Sequence, residues 1–184
     1  MSRIQLLPIG KADLSSLGSL GTALTAEFGV PCEIVAGGLD PAPSLHPERR
    51  QYYSSDILSR MQEQLASNPG RLLGVTPLDL YIPILTFVFG EAQLDGSCAV
   101  VSTHRLRQEF YGLPPDQELL QARLVKESVH ELGHTFGLTH CDNYRCAMAA
   151  SHTVELIDLK SNSLCTDCRA RSLAGLSRSS IEAS

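Results

Sequence analysis

No apolar run in the 184 residues approaches the roughly 20 needed to cross a bilayer, so the sequence offers no membrane-spanning helix. The first residues, MSRIQLLPIGKADLSSLG, lack the continuous apolar core of a secretory signal and read as a strand running into a helix. Basic residues are outnumbered: 15 Lys and Arg against 20 Asp and Glu give a net charge of -5. No basic stripe exists to neutralise phosphates, which argues against nucleic acid as the main partner. There is no internal repeat, and no pro-segment is expected. Together these absences predict a single cytoplasmic domain, and 43% hydrophobic residues supply enough material for its core.

What the chain does contain is concentrated between residues 130 and 168, beginning HELGHTFGLTHCDNYRCAM. His130 and His134 are four apart and lie a turn apart on one helix face, so both imidazoles can reach one metal ion. Glu131, between them in sequence, is badly placed as a third ligand on the same turn and well placed as a base. Gly137 can adopt the left-handed conformation that ends a helix and turns the chain, bringing His140 back beneath the metal. Three neutral imidazoles leave a fourth position open, as in a catalytic zinc site. The pattern resembles the metzincin signature HExxHxxGxxH, in which the downstream Met148 corresponds to a methionine packed beneath the imidazoles. A core helix carrying two histidines by chance would require none of these added elements.

Four of the six cysteines follow in the order Cys141, Cys146, Cys165 and Cys168. Their CxxxxC and CxxC spacings let four thiolates close a tetrahedron around a second, structural zinc. Two disulfides or a thiol-redox CxxC are the competing readings, and a reducing cytoplasm favours the metal. Cys32 and Cys98 read as buried apolar residues.

The segment from Val129 to Cys168 resembles the archaemetzincin family, which joins the metzincin motif directly to a four-cysteine zinc site. Further likeness lies in GVTPLDLY at Gly74 to Tyr81, FVFGEA at Phe87 to Ala92 and AVVSTHRL at Ala99 to Leu106, the segments together spanning about half of the chain. The resemblance implies a zinc peptidase acting on peptides or proteins, with aminopeptidase activity, and a compact α/β metzincin-like domain. That domain would have a mixed twisted sheet, backing and active-site helices, and a C-terminal zinc-knuckle subdomain. Residues 1–140 would form the upper part with the active-site helix, 141–175 the cysteine and Met-turn part, and 176–184 a loose tail, the compositional looseness starting near Arg171. A zinc-binding domain with a binding role and weak or absent proteolysis is the alternative.

Patterning predicts strands at Arg3 to Pro8, Cys32 to Ala36, Arg71 to Val75, Leu85 to Phe89 and Cys98 to Ser102. Helices are expected over Ala12 to Phe28 and from a cap at Ser55 through Ile57, Met61 and Leu65, with Asn68, Pro69 and Gly70 as stop signals. The strand and helix order implies right-handed crossovers and a largely parallel sheet. Asp116 should cap the long helix carrying the histidines, whose apolar stripe is Val125, Val129, Leu132 and Phe136. By resemblance, Phe87 to Ala92 is the rim strand along which an extended peptide aligns.

In such a site Glu131 is the general base: it takes a proton from the attacking water and delivers it to the leaving amine, while zinc acts as Lewis acid. Tyr144 is read as packing rather than as an oxyanion partner, and His104 and His152 as surface or hydrogen-bonded residues rather than ligands.

Overall fold

A computed structural model describes residues 3–65 and 70–181, with side chains through residue 173. Strand β1 (Ile4–Pro8) leads into helix α1 (Leu14–Phe28), whose first turn is capped by Asp13 Oδ1 accepting from the Ser15 amide at 3.0 Å. Gly29, at φ 68°, ends the helix. Then come β2 (Cys32–Ile34), two short strands β3 (Leu45–His46) and β4 (Gln51–Tyr53), and helix α2 (Ser54–Leu65). The expected stop signals Asn68 and Pro69 lie outside the described residues.

The second half contains β5 (Arg71–Thr76), β6 (Leu80–Tyr81), β7 (Gly90–Ala92), β8 (Cys98–Ser102), the long helix α3 (Gln117–Thr135), α4 (Val154–Leu159) and α5 (Thr166–Ile181). The main sheet has the order β2-β1-β5-β8-β7; its neighbours pair in parallel except for β7, which runs antiparallel to β8 at the edge. Consecutive residues of the inner strands serve opposite cores. Leu6, Leu73 and Val101 face α1 and α3, whereas Leu7, Leu72 and Val100 face α2. Both faces are covered, so these strands read as continuous apolar runs, as parallel strands do. Leu17, Leu20 and Leu24 of α1 are fully buried; at roughly 2 kcal/mol each, they contribute several kcal/mol to docking that helix on the sheet.

Three expectations need correction. Leu85 to Phe89 is not a strand: only Val88 makes an isolated bridge, to Leu80, and the edge strand begins at Gly90. The Leu85 and Thr86 carbonyls are bonded instead by side chains, Arg49 Nη2 reaching both at 3.0 Å and Gln51 Nε2 reaching Thr86 at 2.9 Å. Ser55 does not cap α2, because the helix continues directly from β4 and starts at Ser54. The expected loose tail from Arg171 is helical as far as Ile181, where α5 ends, and its last three residues lie outside the described residues. The Gly- and Pro-rich segment from Gly37 to Pro47, which reads as a loop, also supplies β3 of a small second sheet of order β3-β4-β6. Among the described residues, no helix is long and apolar enough to cross a membrane.

Candidate metal centre

Helix α3 places the site because both of its ends are fastened. Asp116 Oδ1 accepts from the Leu119 amide at 2.9 Å, as the spacing predicts, satisfying one of the orphan donors of the first turn. At the other end Phe136 stacks on Phe28 of α1, with ring centroids 5.0 Å apart. The Arg71 guanidinium covers the opposite side of Phe136, its carbon 3.9 Å from the ring centroid, and its Nη2 donates to the Thr135 carbonyl at 3.1 Å. A buried cation on the last carbonyls also suits the negative end of the helix.

Gly137 then has φ 80°, and its amide donates to the His134 carbonyl at 2.9 Å while Leu138 donates back to Gly133 at 3.0 Å. This left-handed turn redirects the chain, so His140 returns to the face that carries His130 and His134. Potential ligand atoms of the three imidazoles lie within 4.8 Å of one another. His130 Nδ1 donates to the Ala147 carbonyl at 2.9 Å and His134 Nδ1 to the Leu138 carbonyl at 2.7 Å. Those bonds fix the tautomer, leaving each Nε2 as a free lone pair. The two Nε2 atoms stand 3.1 Å apart, close to the roughly 3.3 Å that two nitrogens of a tetrahedral zinc would show. Burial lowers the pKa of both rings, that of His130 well below the ordinary value, so both are held in the neutral form a metal requires. The donor set fits a zinc ion with an open position.

Glu131 is buried beside these rings, with the backbone of Gly90 pressed against it: a Cβ at position 90 would stand 2.6 Å from Glu131 Cγ. Burial raises its carboxyl well above the usual range, Glu127 and Glu91 add to the effect, and Lys160 opposes it. Met148 is fully buried as the Met-turn reading expects, and its sulfur lies so close to the helix that a Cβ on Gly133 would overlap it. A cavity of about 670 Å³ opens over the three histidines, walled on one side by residues 85–92 and on the other by 150–152.

The four cysteines of the second group also converge, their sulfurs all within 4.8 Å of one another. Cys141 and Cys165 Sγ are 3.9 Å apart, near the roughly 3.8 Å edge of a tetrahedron of zinc-bound sulfurs. The Cys165 amide donates to Cys146 Sγ at 3.3 Å, an arrangement that stabilises a thiolate. All six cysteines are free. Cys98 is buried and Cys32 half-buried, and burial pushes both thiols up to about 11.

Of the remaining predicted residues, His104 is hydrogen-bonded to the Pro77 carbonyl at 3.3 Å and packs on Phe110, away from the cavity. His152 is exposed on the cavity wall. Tyr144 is 64% exposed, so it does not pack as expected. Sequence reasoning passed over Gly133, Gly90 and the Glu127–Lys160 ion pair. Gly133 had a signal, since a glycine inside a helix costs about 1 kcal/mol relative to alanine and so calls for a reason. The other contacts join distant segments and leave no local mark.

The chain is similar to known proteins over most of its length. Residues 48–173 match the model of peptidase family M54. An archaemetzincin of Methanocaldococcus jannaschii is 40% identical over 166 residues, covering 90% of each chain. Among solved structures, a zinc-dependent peptidase from Methanocorpusculum labreanum superposes with a TM-score of 0.85 at 32% identity, over 92% of this chain and 99% of that one. An archaemetzincin from Archaeoglobus fulgidus gives 0.78 at 34% identity with the same coverage. The fold, the site and these relatives agree, and the chain belongs to the archaemetzincins, the metallopeptidases of family M54.

Proposed function

We propose that this protein hydrolyses peptide bonds with Glu131 as general base beside a catalytic zinc held by His130, His134 and His140, and that Cys141, Cys146, Cys165 and Cys168 hold a second, structural zinc. The observation that carries the reading is the pair of converging Nε2 atoms, 3.1 Å apart, each freed by an Nδ1 bond to a backbone carbonyl, with a buried carboxylate one residue away in an open cavity. When bound, zinc supplies Lewis acidity, polarising a carbonyl and acidifying water.

The chain's own residues do the rest. Glu131 takes a proton from the attacking water onto its carboxylate and passes it to the leaving nitrogen, a role that its buried setting and raised affinity for protons support. His130 and His134 are held in orientation by Ala147 and Leu138, so neither ring reorganises during the reaction. The free edge of β7 beside the cavity offers backbone groups to an extended substrate.

Digestion of a peptide library by zinc-loaded wild type and Glu131→Gln tests this. The variant should keep its zinc and lose at least about a hundredfold in rate. Equal cutting by the two proteins would remove Glu131 from the mechanism; no cutting by either would leave a zinc-binding role without hydrolysis. The aminopeptidase activity that family resemblance supports is the finer form of the reading, and N-terminal acetylation of the peptides should then abolish cleavage.

A further inference from the structure

We propose that Glu127 forms the floor of a side-chain subsite beside the metal centre and selects substrates whose side chain there ends in a hydrogen-bonding cation, lysine or arginine. This rests on the peptidase reading above and adds a substrate class to it.

Glu127 lies one helical turn before Glu131 on α3, so it shares the face that looks onto the cavity, and it is part of the cavity wall although only 3% exposed. Among the described residues it has one ionic partner, Lys160, whose Nζ is 2.7 Å from Glu127 Oε1. Lys160 is itself buried, donates also to the Ala149 carbonyl at 3.3 Å, and does not line the cavity. The carboxylate therefore stands between a buried ammonium and the space a substrate enters, with the negative end of the pair toward the substrate. A carboxylate has about four acceptor positions, so one ammonium leaves it able to receive another donor.

The surroundings favour the same kind of ligand. Among the described residues lining the cavity there is no lysine or arginine, and the carboxylates are those of Glu91, Glu127 and Glu131. Glu91 is engaged by the hydroxyls of Ser54 and Ser55 at the start of α2, and Glu131 is committed to the chemistry. Ser151 Oγ, which also lines the cavity, is buried without a hydrogen-bond partner, and such a group is satisfied when a ligand reaches it. Phe87 and Phe89 supply an apolar wall for the methylene stem of a long cationic side chain. A leucine there would offer no donor to the acceptor positions of Glu127 that Lys160 leaves open, and a glutamate would meet a like charge.

The test uses three peptide hydroxamates identical except for arginine, leucine or glutamate next to the hydroxamate, titrated by calorimetry into the zinc-loaded protein. The arginine probe should bind at least about tenfold tighter than the leucine probe, and the glutamate probe should be weakest. In the double variant Glu127→Gln/Lys160→Met, which removes both charges and so leaves neither buried alone, the arginine-to-leucine ratio should fall to near unity. The wild-type series needs no variant to decide the preference. Equal binding of arginine and leucine overturns the proposal and leaves the peptidase reading standing, as does a ratio unchanged in a folded double variant. If none of the three probes binds, the peptidase reading itself falls and takes this proposal with it.

Discussion

The amide of Cys141 donates to the carbonyl of Met148 at 3.0 Å, closing a loop that follows directly on His140 of one group and holds Cys141 and Cys146 of the other. Ala147, inside the loop, accepts from His130 Nδ1, and its own amide donates to Ser163 near the last two cysteines. The two groups are therefore one mechanical unit.

Breaking the cysteine group should loosen the histidine group. In Cys168→Ser, zinc content should fall from the proposed two ions per chain to one, with a lower melting temperature, because closing a structural site is coupled to folding. The remaining ion should be held about tenfold more weakly, since the bond orienting His130 depends on the same loop. Metal analysis and chelator competition check this, and unchanged affinity at the remaining site would show the two groups to be independent.

At Gly133 the usual helix rule should reverse. Alanine is ordinarily better than glycine in a helix by about 1 kcal/mol, but here its Cβ would meet the Met148 sulfur. Gly133→Ala should destabilise the protein by about 1–3 kcal/mol in urea unfolding. Pairing it with Met148→Ala should recover part of that loss, and strict additivity of the two changes would contradict the contact.

Alkaline stability should depend on Cys98. Burial raises its thiol from 9.0 to about 11, and its sulfur is 3.6 Å from Gln62 Oε1, an acceptor for the protonated form. The folded protein therefore binds this proton more tightly than the unfolded chain. Its contribution is complete below pH 9 and is lost as pH rises through about 11. The fall in melting temperature across that window should be shallower in Cys98→Ala, measured relative to each protein's value at pH 8; an equally steep fall would assign it elsewhere.

Arg71 should matter to the metal site without touching it. Replacing it by methionine removes the donor to Thr135 and the cation over Phe136, at the end of α3 that carries His134. Zinc affinity should drop by about tenfold with the fold retained, as judged by chelator competition alongside circular dichroism. Loss of affinity matched by a proportionate loss of helix would make the effect one of stability alone.

Much of this protein was legible because its signals are local. The i, i+4 spacing of His130 and His134, the glycine three residues later and the CxxC of Cys165 and Cys168 each describe geometry within a turn or two of chain, and the structure brings those residues together. Asp116 as cap and Val129 and Leu132 as buried stripe are local in the same sense. Leu85 to Phe89 misled because apolar, β-prone residues suit a cleft wall as well as a strand, and the choice depended on Arg49 and Gln51, more than thirty residues earlier, bonding its carbonyls. Strands as short as β3 and β6 carry no period to read.

The sequence alone determined the helix, the turn and the ligand types, because backbone periodicity and the conformational freedom of glycine act over a few residues. Tertiary structure decided what surrounds them: Gly90 against Glu131, Gly133 against Met148, and Lys160 beneath Glu127. Each of these is a packing or charge contact between segments whose separation along the chain holds no information about their distance in space.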